Sequence, residues 1–230
     1  MEYLPGGLTL EVPAGCFPLS TDSMVLGDFV NLPKNARVLD LGSGCGTLGL
    51  LLLAKAPGCH ITGVELDDRA HAAALENIRA NTLETHMESI CADLRRLSEH
   101  ISQSSFSVCV SNPPYFSGGF ASQSTPIARQ TGCCATEDLC KAASWALKYG
   151  GDFYVVHKPE MLANLIVCAG ATGMEAKRLL LLRHRPESPV SLIALQFRKG
   201  GKPGLKIQEA ALFEADGTPT SYYRSVYHME

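Results

Sequence analysis

The sequence predicts an α/β fold, a largely parallel sheet covered on both faces by helices. Short apolar, β-branched runs alternate with stretches of helical length from residue 36 to residue 171, the pattern of repeated strand–helix–strand units. Hydrophobic residues make up 46% of the chain and charged residues 19%, which supplies a core and argues against long disordered segments. The 230 residues fit one α/β domain, 1–230, with a short N-terminal extension over 1–34.

Residues 7–17 read as a short strand pair turning at Pro13-Ala14-Gly15. Ser20-Thr21-Asp22 then caps a helix through Met24–Val30. Next come strand 36–41, helix 46–56, strand 60–65, helix 68–81, strand 87–92 and a helical piece over 94–100. Strand 106–111 opens a long loop, 112–135, rich in Gly, Ser, Thr, Pro and Gln. Loops of that length in compact domains are functional or mobile. Helix 136–148, strand 151–157 and helix 159–171 follow. Two last strands, near 175–184 and 190–198, are joined by Arg185-Pro186-Glu187-Ser188-Pro189, which suits a hairpin-like reversal.

Chemistry concentrates where strands end. The first strand runs into Asp40-Leu41-Gly42-Ser43-Gly44-Cys45-Gly46. Its glycines permit positive φ and close approach of a ligand, and the helix that follows points free N–H groups at the turn. The spacing is not that of the G-x-G-x-x-G dinucleotide fingerprint. A bare glycine turn would look the same. The second strand ends at Glu65, followed by Leu66 and Asp67, about 20 residues on, where doubly wound folds grip a ribose. A solvated strand-end charge is the plainer alternative for Glu65, and Asp67 or Asp68 suits the next helix cap. The third strand ends at Asp93-Leu94. The fourth ends at Asn112-Pro113-Pro114-Tyr115. Two prolines stiffen that turn and remove two donors. The Asn carbonyl and a proline carbonyl can then both accept from one planar amino group, and Tyr115 offers a stacking face. A tight Asn-Pro turn after a strand is the alternative.

Together these motifs resemble the class I, S-adenosylmethionine-dependent amino-methyltransferases with an NPPY loop. The resemblance implies a Rossmann-like, seven-stranded, mostly parallel sheet with a terminal antiparallel strand. It implies cofactor contacts at Asp40, Gly42, Gly44, Gly46, Glu65, Leu66, Asp93, Leu94 and Asn112, with Glu65 on the ribose hydroxyls and Asp93 on the adenine amino group. It makes Asn112, Pro113, Pro114 and Tyr115 the catalytic loop, with Phe116 as a further stacking partner. Phe17-Pro18-Leu19-Ser20-Thr21-Asp22-Ser23-Met24-Val25-Leu26-Gly27, Gly200-Gly201-Lys202-Pro203-Gly204-Leu205-Lys206 and Tyr222-Tyr223-Arg224-Ser225-Val226-Tyr227 resemble segments of the bacterial tRNA(Val) adenine-37 N6-methyltransferase family. That family implies transfer to an exocyclic adenine N6 in an anticodon loop, leaving S-adenosylhomocysteine. It also gives Asp22 a place at the methyl-donor pocket, although a plain helix cap fits the residue equally well. The loop stretch Ala128-Arg129-Gln130-Thr131-Gly132 keeps a family-like Arg129 but has Gln130 where His is usual. An rRNA base or a protein glutamine is the alternative acceptor for the same loop. Release-factor enzymes normally carry a helical domain before the glycine turn, where this sequence has about 35 residues. DNA adenine methyltransferases usually need a separate recognition domain.

Charge and cysteine content bound the partners. The net charge is −3, yet segment 177–206 alone carries about +7, with Arg183, Arg185, Lys199 and Lys202 among its cations. Clustering of this kind is the footprint expected for a phosphate backbone, and a basic solvated surface is the alternative. The nine cysteines are odd in number and scattered. Cys45, Cys59, Cys91, Cys109 and Cys168 behave as small hydrophobes. Cys133, Cys134 and Cys140 lack the second pair or His that a tetrahedral zinc site needs, so no metal is expected. No apolar stretch reaches membrane-spanning length, and Met1-Glu2-Tyr3-Leu4-Pro5 does not start a signal peptide. The expected setting is a reducing cytoplasm, and nothing in the sequence sets the oligomeric state.

Overall fold

A computed structural model of the chain describes residues 1–114 and 136–229. Ten strands and six α-helices lie among them. The strands are β1 (Glu2–Tyr3), β2 (Thr9–Leu10), β3 (Arg37–Leu41), β4 (His60–Glu65), β5 (Met87–Cys91), β6 (Phe106–Ser111), β7 (Leu147–His157), β8 (Met174–Arg183), β9 (Val190–Lys199) and β10 (Lys206–Ala211). The helices are α1 (Thr21–Phe29), α2 (Thr47–Lys55), α3 (Asp68–Ala80), α4 (Thr136–Ala146), α5 (Leu162–Ala171) and α6 (Ser221–Val226).

The main sheet has eight strands in the order β10-β8-β9-β7-β6-β3-β4-β5. Only β9 runs against the rest, pairing antiparallel with both β7 and β8. This is the expected mostly parallel sheet with its late antiparallel strand, plus one more strand. β10 pairs in parallel with β8 and is exposed along most of its length. Its sequence, Lys-Ile-Gln-Glu-Ala-Ala, lacks the apolar alternation of a buried strand, and its charged residues suit an edge.

Alternation along the central strands builds two cores. Val38, Val108, Val110, Tyr154 and Val156 face the layer of α1, α2 and α3. Leu39, Leu41, Cys109, Phe153 and Val155 face α4 and α5. Burying each such side chain contributes about 1.5–3 kcal/mol. The two layers fix the sheet, and the sheet fixes the loops at its C-terminal rim. α1 is fastened to that frame at both ends. Ser20 Oγ caps its start, and Lys55 Nζ donates to the carbonyls of Gly27, Asp28 and Val30 at its finish.

The N-terminal hairpin is not where the sequence suggested. β1 pairs with β2 around a turn at Pro5–Gly7, while residues near Pro13-Ala14-Gly15 join no strand. The backbone there is satisfied by α3 instead. Asn77 Oδ1 accepts from Glu11 N–H and Asn77 Nδ2 donates to the Glu11 carbonyl. Asn81 does the same for Thr9. Two asparagines thus replace a partner strand, which alternation cannot reveal. β7 starts earlier than expected, at Leu147, because a register shift between Phe106 and Val108 absorbs the Gly150-Gly151 pair.

Candidate active site

The glycine turn between β3 and α2 is built by three left-handed residues, Gly42, Gly44 and Gly46, at φ 75°, 56° and 84°. A Cβ on Gly42 or Gly44 would meet open space, whereas one on Gly46 would lie 2.9 Å from Met87 Cε. The first two glycines therefore leave an open face and the third makes a close packing contact with Met87. Gly63 in β4 is required for a related reason: a Cβ there would sit 2.7 Å from Ser43 Oγ.

Glu65 holds the turn in place. One carboxylate oxygen accepts from Gly44 N–H at 2.8 Å. The other accepts from Leu66 and Asp67 N–H, each at 2.8 Å. Asp40 lies behind the turn and is 1% exposed. Burial, helped by the Glu65 charge, pushes its pKa up to about 7, against the pull of a hydrogen bond from Gly49 N–H. Among the described residues, Asp40 Oδ2 and Ser43 Oγ are buried without a hydrogen-bond partner. Both line one cavity of about 330 Å³, together with Gly42, Gly44, Glu65, Ser23, Asn112 and Pro114. Residues 15–18 close it from the N-terminal side, with Arg69 Nη2 donating to the Ala14 carbonyl. Asn77 Nδ2 also donates to the Cys45 carbonyl, tying this strap to the glycine turn. Asn112 stands at the end of β6, its Nδ2 3.0 Å from Ser23 Oγ. Ser111 beside it is anchored by a 2.7 Å bond from its hydroxyl to the Leu41 carbonyl.

The remaining sequence-based candidates fall into groups. Asp93 follows Ala92, whose N–H donates to the Glu65 carbonyl. Its carboxylate, however, is engaged by Arg95, whose Nε lies 3.0 and 2.9 Å from the two oxygens, and this pairing lowers its pKa. Leu66 is half exposed on the same rim. Leu94 borders a neighbouring hollow with Leu97 and Trp145. Asp22 lies in the first turn of α1, not on the cavity wall. Its charge acts on His157 at the end of β7, a histidine whose pKa burial and Lys158 lower. Tyr115, Phe116, Arg129, Cys133 and Cys134 lie outside the described residues, as does most of the 112–135 loop. Among the described residues no group of three His, Cys, Asp or Glu side chains is placed to hold a metal ion. No described helix is long and apolar enough to cross a membrane.

The basic segment is divided by the fold. Arg183 ends β8, which pairs antiparallel with β9 on the side away from β7 and so runs in the direction of β7; it and Arg185 therefore lie at the rim that carries the cavity. Lys199 ends the antiparallel β9 at the opposite rim, with Lys202 just beyond. Lys199 Nζ donates to the Ser144 and Leu147 carbonyls at 2.6 and 2.8 Å. Lys199 and Lys202 thus lie at the rim away from the cavity, apart from Arg183 and Arg185. Charge counting along a chain ignores strand direction, so it does not show this division.

Sequence reasoning missed Ser23, Ser43 and Asn77. Only Asn77 left a signal: it shares the apolar stripe of α3 with Ala70, Ala73, Ala74 and Ile78, and a polar residue on a buried face needs a partner.

The model of the methyltransferase small domain matches residues 21–167. The chain belongs to that family. Curated relatives include the tRNA1(Val) (adenine(37)-N6)-methyltransferase of Dickeya chrysanthemi, 32% identical over 80% of this chain and 74% of that protein. The enzyme of the same name from Photobacterium profundum is 27% identical over 88% of this chain and 87% of its own. Among solved structures, a protein described as a predicted O-methyltransferase from Agrobacterium tumefaciens superposes with a TM-score of 0.76. It is 20% identical and covers 91% of this chain and 96% of its own, a likeness of fold.

This methyltransferase takes its methyl group from S-adenosylmethionine, and the cavity fits that group. The orphaned Asp40 Oδ2 and Ser43 Oγ are acceptors suited to an ammonium. Glu65 has carboxylate lone pairs at the rim for a diol. The open faces of Gly42 and Gly44 admit close approach. The buried Asp40 and the half-buried Glu65 suit a ligand that carries positive charge.

Proposed function

We propose that the chain methylates N6 of adenine 37 in the anticodon loop of a valine tRNA, in the cytoplasm, as a single domain spanning residues 1–230. The reading is supported by the names of the curated relatives. The observation that carries it is the position of Asn112, on the wall of the cavity that holds Asp40, Glu65 and the glycine turn.

Each residue has a task in this reading. Glu65 binds the ribose diol, and Asp40 with Ser43 binds the methionyl end. Leu66 and Leu94 flank the adenine of the cofactor, with Asp93 offered to its amino group in exchange for Arg95. Asn112 Oδ1 and the Pro113 carbonyl accept the two N–H bonds of the target amine. An adenine amino lone pair is delocalised into the ring, so it is a poor nucleophile. Two acceptors placed on one side favour a pyramidal nitrogen and free the lone pair for in-line attack, which mainly requires positioning. The stiff Pro113-Pro114 backbone keeps the second acceptor fixed. When bound, S-adenosylmethionine supplies an activated methyl group on sulfur, so transfer forms one N–C bond, breaks one S–C bond and releases one proton afterwards. No side chain needs to remove that proton beforehand. Tyr115 and Phe116 stack on the target base, which an anticodon loop can splay out at low cost. Arg129, Arg183 and Arg185 contact the RNA backbone.

The test is methyl transfer from labelled cofactor to unmodified tRNA, followed by mass spectrometry of the nucleosides. N6-methyladenosine is the expected product. A chain that binds cofactor yet leaves tRNA unmodified would discard this reading in favour of rRNA or a release-factor glutamine.

A further inference from the structure

The amide of Asn112 has two faces of opposite character, and only one is useful to an amino acceptor. Its Nδ2 lies 3.0 Å from Ser23 Oγ. Ser23 is 4% exposed and occupies the first turn of α1. Its hydroxyl lies 3.3 Å from the hydroxyl of Ser20, which also accepts the Ser23 backbone N–H. This row can be wired in two directions. In one, the Ser23 O–H donates to Ser20 Oγ, and a Ser23 lone pair receives the Asn112 N–H, leaving Oδ1 for the cavity. In the other, the amide is turned over, Ser23 donates to Oδ1, and Nδ2 confronts an amine that is itself a donor. Ser20 Oγ has two lone pairs, one for the backbone N–H and one for the Ser23 hydroxyl, so the first direction pairs the buried Ser23 hydroxyl at both ends and leaves the O–H of the half-buried Ser20 to solvent.

We propose that Ser23, with Ser20 receiving its proton, is a positioning residue that locks the Asn112 amide with Oδ1 toward the target nitrogen. The helix cap of α1 thereby sets the polarity of the catalytic amide. The inference rests on the tRNA-methylation reading and deepens it.

The experiment compares Ser23→Ala, Ser23→Thr and the wild type in steady-state tRNA methylation, with cofactor affinity measured by calorimetry. Ser23→Ala is expected to lower kcat about tenfold while KM for tRNA and Kd for cofactor stay within about twofold, the pattern of lost alignment. Ser23→Thr, which restores a hydroxyl, is expected to recover most of kcat. Three outcomes overturn the proposal: an unchanged kcat in Ser23→Ala, an equal loss of cofactor affinity, or no recovery in Ser23→Thr. A wild-type chain that binds cofactor but makes no N6-methyladenosine overturns the functional reading instead, so the two failures are distinguishable.

Discussion

Asp40, Glu65 and Asn112 come from three different strands and converge on one cavity, whereas Arg183, Arg185, Lys199 and Lys202 are close in sequence and end at opposite rims of the sheet. The difference lies in strand direction. β3, β4 and β6 are parallel, so every residue placed at a strand's C-terminal end reaches the same rim. β9 is antiparallel, and its ten residues carry the chain about 30 Å away from the hairpin that holds Arg185. Convergence of function in this fold follows topology, and proximity in sequence is a poor guide where the chain turns back.

The sharpest way to break the contrast is at Asn112. Asn112→Ala is expected to lower methyl transfer about 10³-fold, a loss of aligned acceptor contacts in the transition state, with cofactor Kd nearly unchanged by calorimetry. A parallel loss of cofactor binding would assign Asn112 to the frame of the site instead. Glu65→Ala comes next. It removes the proposed ribose contact and three N–H bonds, one from Gly44 of the glycine turn and two from Leu66 and Asp67, and should weaken cofactor binding about 10- to 100-fold. An unchanged dissociation constant would take Glu65 out of the ribose site.

Asp40 sharpens the comparison through pH. In the unfolded chain it ionises near its ordinary value of 3.8, and in the fold near 7. Below about pH 4 both states hold the proton and there is no penalty. As pH rises from 4 to 7 the unfolded chain releases its proton first, so stability falls, by on the order of 4 kcal/mol in total. Asp40→Asn cannot ionise, so its stability relative to wild type should grow across that window, measured by urea unfolding without cofactor. A difference that stays flat between pH 4 and pH 8 would mean that Asp40 titrates normally.

The smallest effects test the split basic segment. Arg185→Ala should weaken tRNA methylation and reduce its salt dependence by about one counterion. Lys202→Ala should change neither by more than about twofold. Equal effects at both positions would return the far rim to the RNA-binding surface.

The central alternation of strands and helices was readable because buried parallel strands announce themselves as apolar runs. β4 and β6 were read to the residue. β10 was not, because an edge strand exposed on both faces carries no such run. Within the site, Asp40, Glu65 and Asn112 were readable because each lies at the C-terminal end of an apolar strand run and breaks its character. Ser23 and Ser43 were hidden, since serine sits in caps and turns everywhere and only three-dimensional contact distinguishes these two. The Asp93–Arg95 pairing was hidden as well, although the two are close neighbours, because nothing in the spacing says which partner a rim carboxylate will choose.

The bond between the Thr21 hydroxyl and the Tyr227 phenol, 2.9 Å long across 206 positions, has a consequence for the order of synthesis. A ribosome delivers α1 early, but the aromatic that pins its first turn arrives 206 residues later. Tyr227 is itself stacked on Tyr223, with ring centres 4.3 Å apart, so the pin comes with a supporting wall. Until that wall is made, the helix bearing Ser23 lacks one of its anchors, and a nascent chain with its glycine turn already complete has an acceptor side not yet clamped.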